Sequence, residues 1–388
     1  MENNIMRYFD YAATTPCDVR VLKKMEPYFT LDFGNPSSIH QYGQIAKNAV
    51  DTARVEIAQI LGCSPEEIYF TSGGTESDNL AILGTARANR TKGKHIITTT
   101  IEHHAVLHAC EQLEDEGFEV TYINCDKDGI INPDEVKKAI RPDTILVSIM
   151  YANNEIGTIQ PIWKIGRYCK NKGIPFHTDA CQAAGVLEIN VDKLIVDLMT
   201  LNGGKIYGPK GIGLLYVRKH TNIWPIMYGG EQEKRLRPGT ENVPGIVGLA
   251  EALKLAQKDR EKENKRLTEL RDKLINGIIK TIPKVKLNGH PEKRLPNNVN
   301  VSILDIEGEA MLLRLDMLGI AASSGSACTS GSLDPSHVIL ALGHGYEIAH
   351  GSIRFTLGKQ TKKEDIEYLL KVLPKVVEDL RKISPVRL

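Results

Sequence analysis

The chain has 388 residues, 41% of them hydrophobic and 25% charged, an ordinary mixture for a globular protein large enough for two domains. Lys and Arg number 49 against 48 Asp and Glu, a formal net charge of +1, which argues against a constitutive binder of nucleic acid or of membrane surfaces. No run of about 18 apolar residues is present and Met1-Glu2-Asn3-Asn4 has neither a basic nor an apolar leader character, so neither a membrane span nor a secretory signal is expected.

Apolar strands alternate with amphipathic helices through the first two-thirds. A helix is expected from residue 37 or 38 to 61, stopped by Gly62. Ser64-Pro65-Glu66-Glu67 reads as an N-cap, an N1 proline and an acidic first turn. Strands are expected at 68–71, 95–100, 119–123, 144–150, 175–177, 198–201 and 213–217. This alternation predicts an α/β fold with a mostly parallel sheet covered by helices. The charged stretch 249–280 has apolar residues at helical spacing and the length to bridge two domains. The remainder reads as strand 299–304, helix 309–318, strands 320–323 and 352–357, and a last helix 362–382, a smaller α+β unit.

The seven cysteines, Cys17, Cys63, Cys110, Cys125, Cys169, Cys181 and Cys328, are odd in number and contain no C-x-x-C pair. A zinc knuckle or a disulfide framework is therefore not expected, and a reducing cytoplasm fits best. The first six read as small buried hydrophobes. Cys328 lies in Ser323-Ser324-Gly325-Ser326-Ala327-Cys328-Thr329-Ser330-Gly331-Ser332, a run too poor in packing groups to be held rigidly. A cysteine there suits a nucleophile that moves, the alternative being an incidental loop thiol.

Four further constellations carry chemistry. Thr71-Ser72-Gly73-Gly74-Thr75-Glu76 opens a helix after a strand, where free N–H groups can receive a phosphate or the turn can simply join the two elements. Asp179, in His177-Thr178-Asp179-Ala180-Cys181-Gln182, falls just past a buried strand; it can pair with a pyridinium nitrogen or cap the next helix. Lys205, in Asn202-Gly203-Gly204-Lys205, follows another strand among glycines, and its amine is the type that forms a Schiff base with pyridoxal phosphate. Arg354 lies inside an apolar strand, suited to bidentate capture of a carboxylate or to a structural ion pair.

With these motifs the chain resembles the NifS/IscS-type cysteine desulfurases, class V, fold-type I pyridoxal phosphate enzymes. The resemblance runs from Phe9-Asp10-Tyr11-Ala12-Ala13-Thr14-Thr15 to Leu380. It includes Glu102-His103-His104-Ala105-Val106-Leu107, Asn153-Asn154-Glu155-Ile156-Gly157, Tyr207-Gly208-Pro209-Lys210-Gly211 and Ser324-Gly325-Ser326-Ala327-Cys328. The segment from Cys328 to Leu342 is similar to the extended cysteine loop of the housekeeping group.

The resemblance implies a large domain, 16–260, with a mostly parallel seven-stranded sheet, and a small domain, 1–15 with 261–388, carrying the cysteine loop. It implies that Lys205 holds pyridoxal 5'-phosphate and moves protons, His103 stacks on its ring, Asp179 pairs with the ring nitrogen and Gln182 bonds the phenolic oxygen. Gly74, Thr75, Asn202, Gly203 and Gly204 would hold the phosphate, with Thr240 reaching in from a second subunit of a homodimer. Asn154 and Arg354 would bind the carboxylate of L-cysteine, and Cys328 would receive its sulfur as a persulfide. That sulfur would pass to acceptors for iron–sulfur cluster assembly or tRNA thiolation. Other implied roles are a transient [2Fe-2S] cluster on Cys328 shared with a scaffold protein, a purely non-catalytic scaffold partner, or a selenocysteine lyase. Two positions depart from the family pattern: Gly204 stands where a histidine usually precedes the lysine, and Gly74 where an alanine is common.

Overall fold

The computed structural model describes residues 6–324 and 335–384. The strands are β1 (Arg7–Tyr8), β2 (Ile68–Thr71), β3 (His95–Thr99), β4 (Glu119–Ile123), β5 (Thr144–Ser148), β6 (Phe176–Asp179), β7 (Leu198–Asn202), β8 (Gly213–Val217), β9 (Val285–Leu287), β10 (Asn298–Ile303), β11 (Ile320–Ala321) and β12 (Ser352–Thr356). All the strands expected before residue 220 join one seven-stranded sheet, in the order β2-β8-β7-β6-β5-β3-β4. Only β8 runs against its neighbours, pairing antiparallel with β2 and β7. β3, β5 and β8 are buried along their whole length, so none of them alternates apolar with exposed polar positions.

A second sheet, β12-β10-β9, is antiparallel. The strand expected at 320–323 is shorter and lies elsewhere: β11 pairs in parallel with β1. Among the described residues three apolar clusters pack on these sheets, two on the large sheet and one on the small one. The helix Val243–Thr281, 39 residues long, contributes Leu249, Leu253 and Ala256 to the core around the large sheet. Further along, Leu267, Leu274 and Ile278 enter the core around the small sheet, together with Phe9 from the start of the chain.

Three local expectations need correction. The first long helix is Gln41–Leu61, because Asn35 takes the amides of Ser37 and Ser38 at 2.9 Å each and turns the chain before the helix begins. Its end is as expected, with Gly62 left-handed at φ 72°. The helix signature at residues 64–67 is spent in a single 3-10 turn, Pro65–Glu67, in which the Glu67 carboxylate accepts from the Ser64 N–H at 2.9 Å; β2 follows at once. The helix after Thr71 is interrupted: Gly74–Asn79 passes through a π segment, Leu80–Gly84, before Thr85–Asn89. A π turn of this kind often accompanies a functional site.

Candidate active site

The ends of β6 and β7 and the start of helix Gly74–Asn79 meet at the carboxyl edge of the large sheet, where open α/β folds bind ligands. Asp179 is the last residue of β6, only 8% exposed, and its Oδ1 accepts the Cys181 N–H at 2.9 Å. Lys205 ends the 3-10 turn Gly203–Lys205 after β7. Its Nζ donates to the carbonyls of Ala12 at 2.9 Å and Ala13 at 2.6 Å. Gln182 Nε2 donates to the same Ala12 carbonyl at 3.0 Å, so amine and amide converge. Thr15 locks this arrangement: its Oγ1 donates to the Gly204 carbonyl at 3.0 Å and accepts the Tyr207 N–H at 2.8 Å. The 10–15 segment is thus part of the site. Its motif was legible, but its role came from a partner far away in sequence.

The glycines form a close-packed cradle. A Cβ on Gly213 would stand 2.7 Å from the Gly73 backbone, one on Gly203 2.9 Å from the Pro209 carbonyl, and one on Gly74 2.8 Å from Cys181 Sγ. Side chains here would push the helix N-terminus away from β7 and β8. Asn202 Oδ1 accepts the Gly204 N–H at 3.0 Å. Gly204 itself is unconstrained, with its nearest would-be neighbour 3.5 Å away and no positive φ. Thr75 is exposed on the first turn.

Beneath Asp179 lies Asp78, whose carboxyl is pushed well up by burial and by the charge of Asp179. Its Oδ1 has no hydrogen-bond partner and sits 3.6 Å from His177 Nε2. Burial brings His177 down to about 4, so it is neutral, bonded to Ser148 at 2.8 Å and Thr200 at 3.0 Å.

His103 caps helix His104–Asp115, its Nδ1 accepting the Ala105 N–H at 3.1 Å. That bond leaves Nε2 to carry the ring proton. Beside it, Glu102 is buried and pushed up to about 8, although Thr99 and Met150 donate to it. Arg354 on β12 is 2% exposed; Nη1 donates to the Asn154 carbonyl at 3.0 Å and Nη2 to Asp10 Oδ1 at 2.9 Å. Asn154 thus meets Arg354 through its backbone, on a turn fixed by Asn153, whose Oδ1 accepts the Glu155 and Ile156 amides.

Thr240 is exposed, next to Arg237, whose Nε donates to Glu76 at 2.8 Å in the first turn of the phosphate-type helix. Cys328, with its roles as sulfur acceptor and cluster ligand, lies outside the described residues. Of the other six cysteines, Cys110, Cys169 and Cys181 are buried as expected, whereas Cys17, Cys63 and Cys125 are only half-buried. Desolvation raises all six thiols, Cys125 to about 11 and Cys63 and Cys169 to about 12. They are poor nucleophiles for that reason. Among the described residues no three His, Cys, Asp or Glu side chains are placed to hold a metal ion, and no helix is long and apolar enough to cross a membrane.

An amine, a strand-end carboxylate, an amide and a helix N-terminus in a cradle closed to a Cβ at Gly74, Gly203 and Gly213 suit a ring that carries an aldehyde, a basic nitrogen and a phosphate. Comparison with known proteins agrees. The family Aminotransferase class-V matches residues 7–369. A protein described as cysteine desulfurase IscS from Methanosarcina thermophila is 57% identical over 97% of this chain and 93% of its own length. A solved NifS-like protein superposes with a TM-score of 0.91 at 38% identity, covering 97% of this chain and 100% of that one. A structure described as SspA in complex with cysteine gives 0.80 at 40% identity, covering 90% and 98%. The chain therefore belongs to the class-V aminotransferase family and, within it, to the cysteine desulfurases.

Proposed function

We propose that this protein is a pyridoxal-phosphate-dependent desulfurase that converts L-cysteine to L-alanine and leaves the sulfur as a persulfide on Cys328. The observation that carries the reading is the convergence of Lys205 and Gln182 on the Ala12 carbonyl, beside Asp179 and the glycine cradle. When bound, the cofactor supplies an electron sink for charge developing at the substrate Cα. Lys205 Nζ holds the cofactor and then moves a proton at Cα. Asp179 would hold the proton on the ring nitrogen, Gln182 would orient the phenolic oxygen, and His103 would stack on the ring. Gly74 and Thr75 at the helix start would offer N–H donors to the phosphate and Asn202 its side-chain amide, whereas the Gly203 and Gly204 N–H groups are already bonded, to the Ile212 carbonyl and to Asn202 Oδ1, at 3.0 Å each. Arg354 and Asn154 orient the substrate carboxylate. The balance is one L-cysteine and the Cys328 thiol giving L-alanine and the Cys328 persulfide, with no external oxidant or reductant.

The finer assignments rest on the family resemblance. They are a homodimer in which Thr240 completes the partner's phosphate site, delivery of sulfur to iron–sulfur scaffolds or tRNA-thiolating acceptors, a transient cluster on Cys328, and a cytoplasmic location. Exposed apolar side chains such as Phe33 and Tyr42, with rings 5.5 Å apart, and Tyr228, 83% exposed, support a covered face. The test uses two variants. Lys205→Ala should abolish the borohydride-reducible cofactor linkage. Cys328→Ser should keep the cofactor but lose alanine and sulfide production, and mass spectrometry after one turnover should place the extra sulfur on the Cys328 peptide alone. A protein that stays colourless with added cofactor, or a label on Cys181, refutes the reading.

A further inference from the structure

Arg354 is the largest fully buried side chain among the described residues. Burying a guanidinium without a counter-charge is costly, and the described structure meets that cost with Asp10. The contact is single: one Asp10 oxygen at 2.9 Å from Nη2. Nη1 is taken by the Asn154 carbonyl at 3.0 Å, while Nε is buried and has no hydrogen-bond partner. A guanidinium offers a carboxylate two parallel bonds on either of two edges, Nε with Nη2 or Nη1 with Nη2; with Nη1 held by Asn154, the Nε–Nη2 edge is the one with an unused donor. Asp10 therefore occupies half of the edge that an incoming carboxylate needs. Two carboxylates on one edge repel one another, and the two partners differ in freedom. The Asp10 side chain is 20% exposed and can turn to water, whereas that of Arg354 is 2% exposed and cannot. Two other ionisable groups feel this pair: Tyr8, whose phenol is raised by burial and by the Asp10 charge, and the buried Glu155, whose carboxyl Arg354 draws down against a larger rise from burial.

We propose that Asp10 is the resting counter-ion of Arg354, displaced when an amino-acid α-carboxylate arrives, and that this exchange sets how tightly the site holds its carboxylate ligands. The proposal rests on the reading of Arg354 as the carboxylate ligand. Asp10 is then a positioning residue that weakens the grip on substrate and product alike and so helps alanine leave. It also lies just before Ala12, whose carbonyl holds both Lys205 and Gln182. The group that yields to the substrate is thus on the same short segment that holds the cofactor lysine.

The experiment compares Asp10→Asn, Asp10→Glu and Asp10→Ser holoenzymes with the unmodified protein. In Asp10→Asn the KM for L-cysteine and the calorimetric dissociation constant for L-alanine should each fall about three- to tenfold. Binding of cysteamine, which has the amine and thiol but no carboxylate, should not move. Asp10→Glu should restore the original constants, and Asp10→Ser should repeat the Asn result if the Asn variant is recovered unfolded. The Asp10→Asn effect should vanish when combined with Arg354→Gln. Constants for L-cysteine and L-alanine that stay the same or rise, or that shift equally for cysteamine, overturn the proposal. If Arg354→Gln alone leaves L-alanine binding unchanged, the Arg354 reading itself fails, and this proposal with it.

Discussion

Gly74 and Cys181 compete for the same volume. A Cβ at 74 would lie 2.8 Å from Cys181 Sγ, which gives a physical reason for glycine where alanine is common in the family. Gly74→Ala is expected to weaken cofactor binding by about three- to tenfold through overpacking, and Cys181→Ala in the same chain to restore it; titration of the cofactor absorbance measures both. Affinity unchanged in Gly74→Ala would show that the turn yields freely. Gly204 is the opposite case. Nothing lies closer than 3.5 Å to a Cβ there and its φ is not positive, so the backbone and the Cβ position accept Gly204→His. The added imidazole should tighten cofactor binding, and a dissociation constant that does not fall argues that Asn202 and the backbone already saturate the phosphate.

At the scale of elements, the 10–15 segment acts as a clamp on the turn that presents Lys205. Thr15 makes its hydroxyl contacts to that turn from a position only 2% exposed. Thr15→Ala leaves the Tyr207 amide without its partner, while the Gly204 carbonyl keeps the Thr15 N–H at 3.0 Å, at a cost of about 1–3 kcal/mol. Thermal denaturation should show a lower Tm, and cofactor should be lost more readily; an unchanged Tm would mean that water replaces the hydroxyl. For the long helix Val243–Thr281, we propose that the division between the two units falls near residue 260. Ala256 is its last contribution to the first core and Leu267 its first to the second.

The whole molecule carries buried acids whose titration couples to folding. Glu102 is pushed up to about 8 and Glu155 to about 7, both mainly by burial. Each folded-state value exceeds the unfolded value near 4.5, so between the two the native state binds more protons. Their contribution is therefore fully present below about pH 4.5 and is lost as pH rises through about 7 to 8, by at most about 1.4 kcal/mol per pH unit per group. His177, lowered to about 4, works in the other direction and costs stability as pH falls from about 6.5 to 4. Glu102→Gln should flatten the fall of Tm between about pH 6 and 8, and a slope identical to that of the original protein would show that Glu102 is ionised throughout. The proposed dimer has its own test. Mixing Lys205→Ala with Thr240→Ala chains should regain activity, because one site in each mixed dimer then has both residues intact. No regain places Thr240 in its own chain's site or in none.

The seven strands of the large sheet, Gly62 as a helix stop, and Asp179 and Lys205 at strand ends were legible from residue order, because burial on both faces and glycine punctuation leave local marks. Strands too short to show a period, β1 and β9, left none. Nor could Ser64-Pro65-Glu66-Glu67 reveal that its helix would last one turn, since β2 pairing with β8 decides it. Residue order offered Arg354 as a carboxylate ligand or as half of a structural ion pair, but not that Asp10, from the other end of the chain, is its charged partner. Contacts such as Asp10 with Arg354, Ala12 with Lys205 and Gly74 with Cys181 join segments far apart in sequence. They exist only once the sheets and cores have brought those segments to one edge.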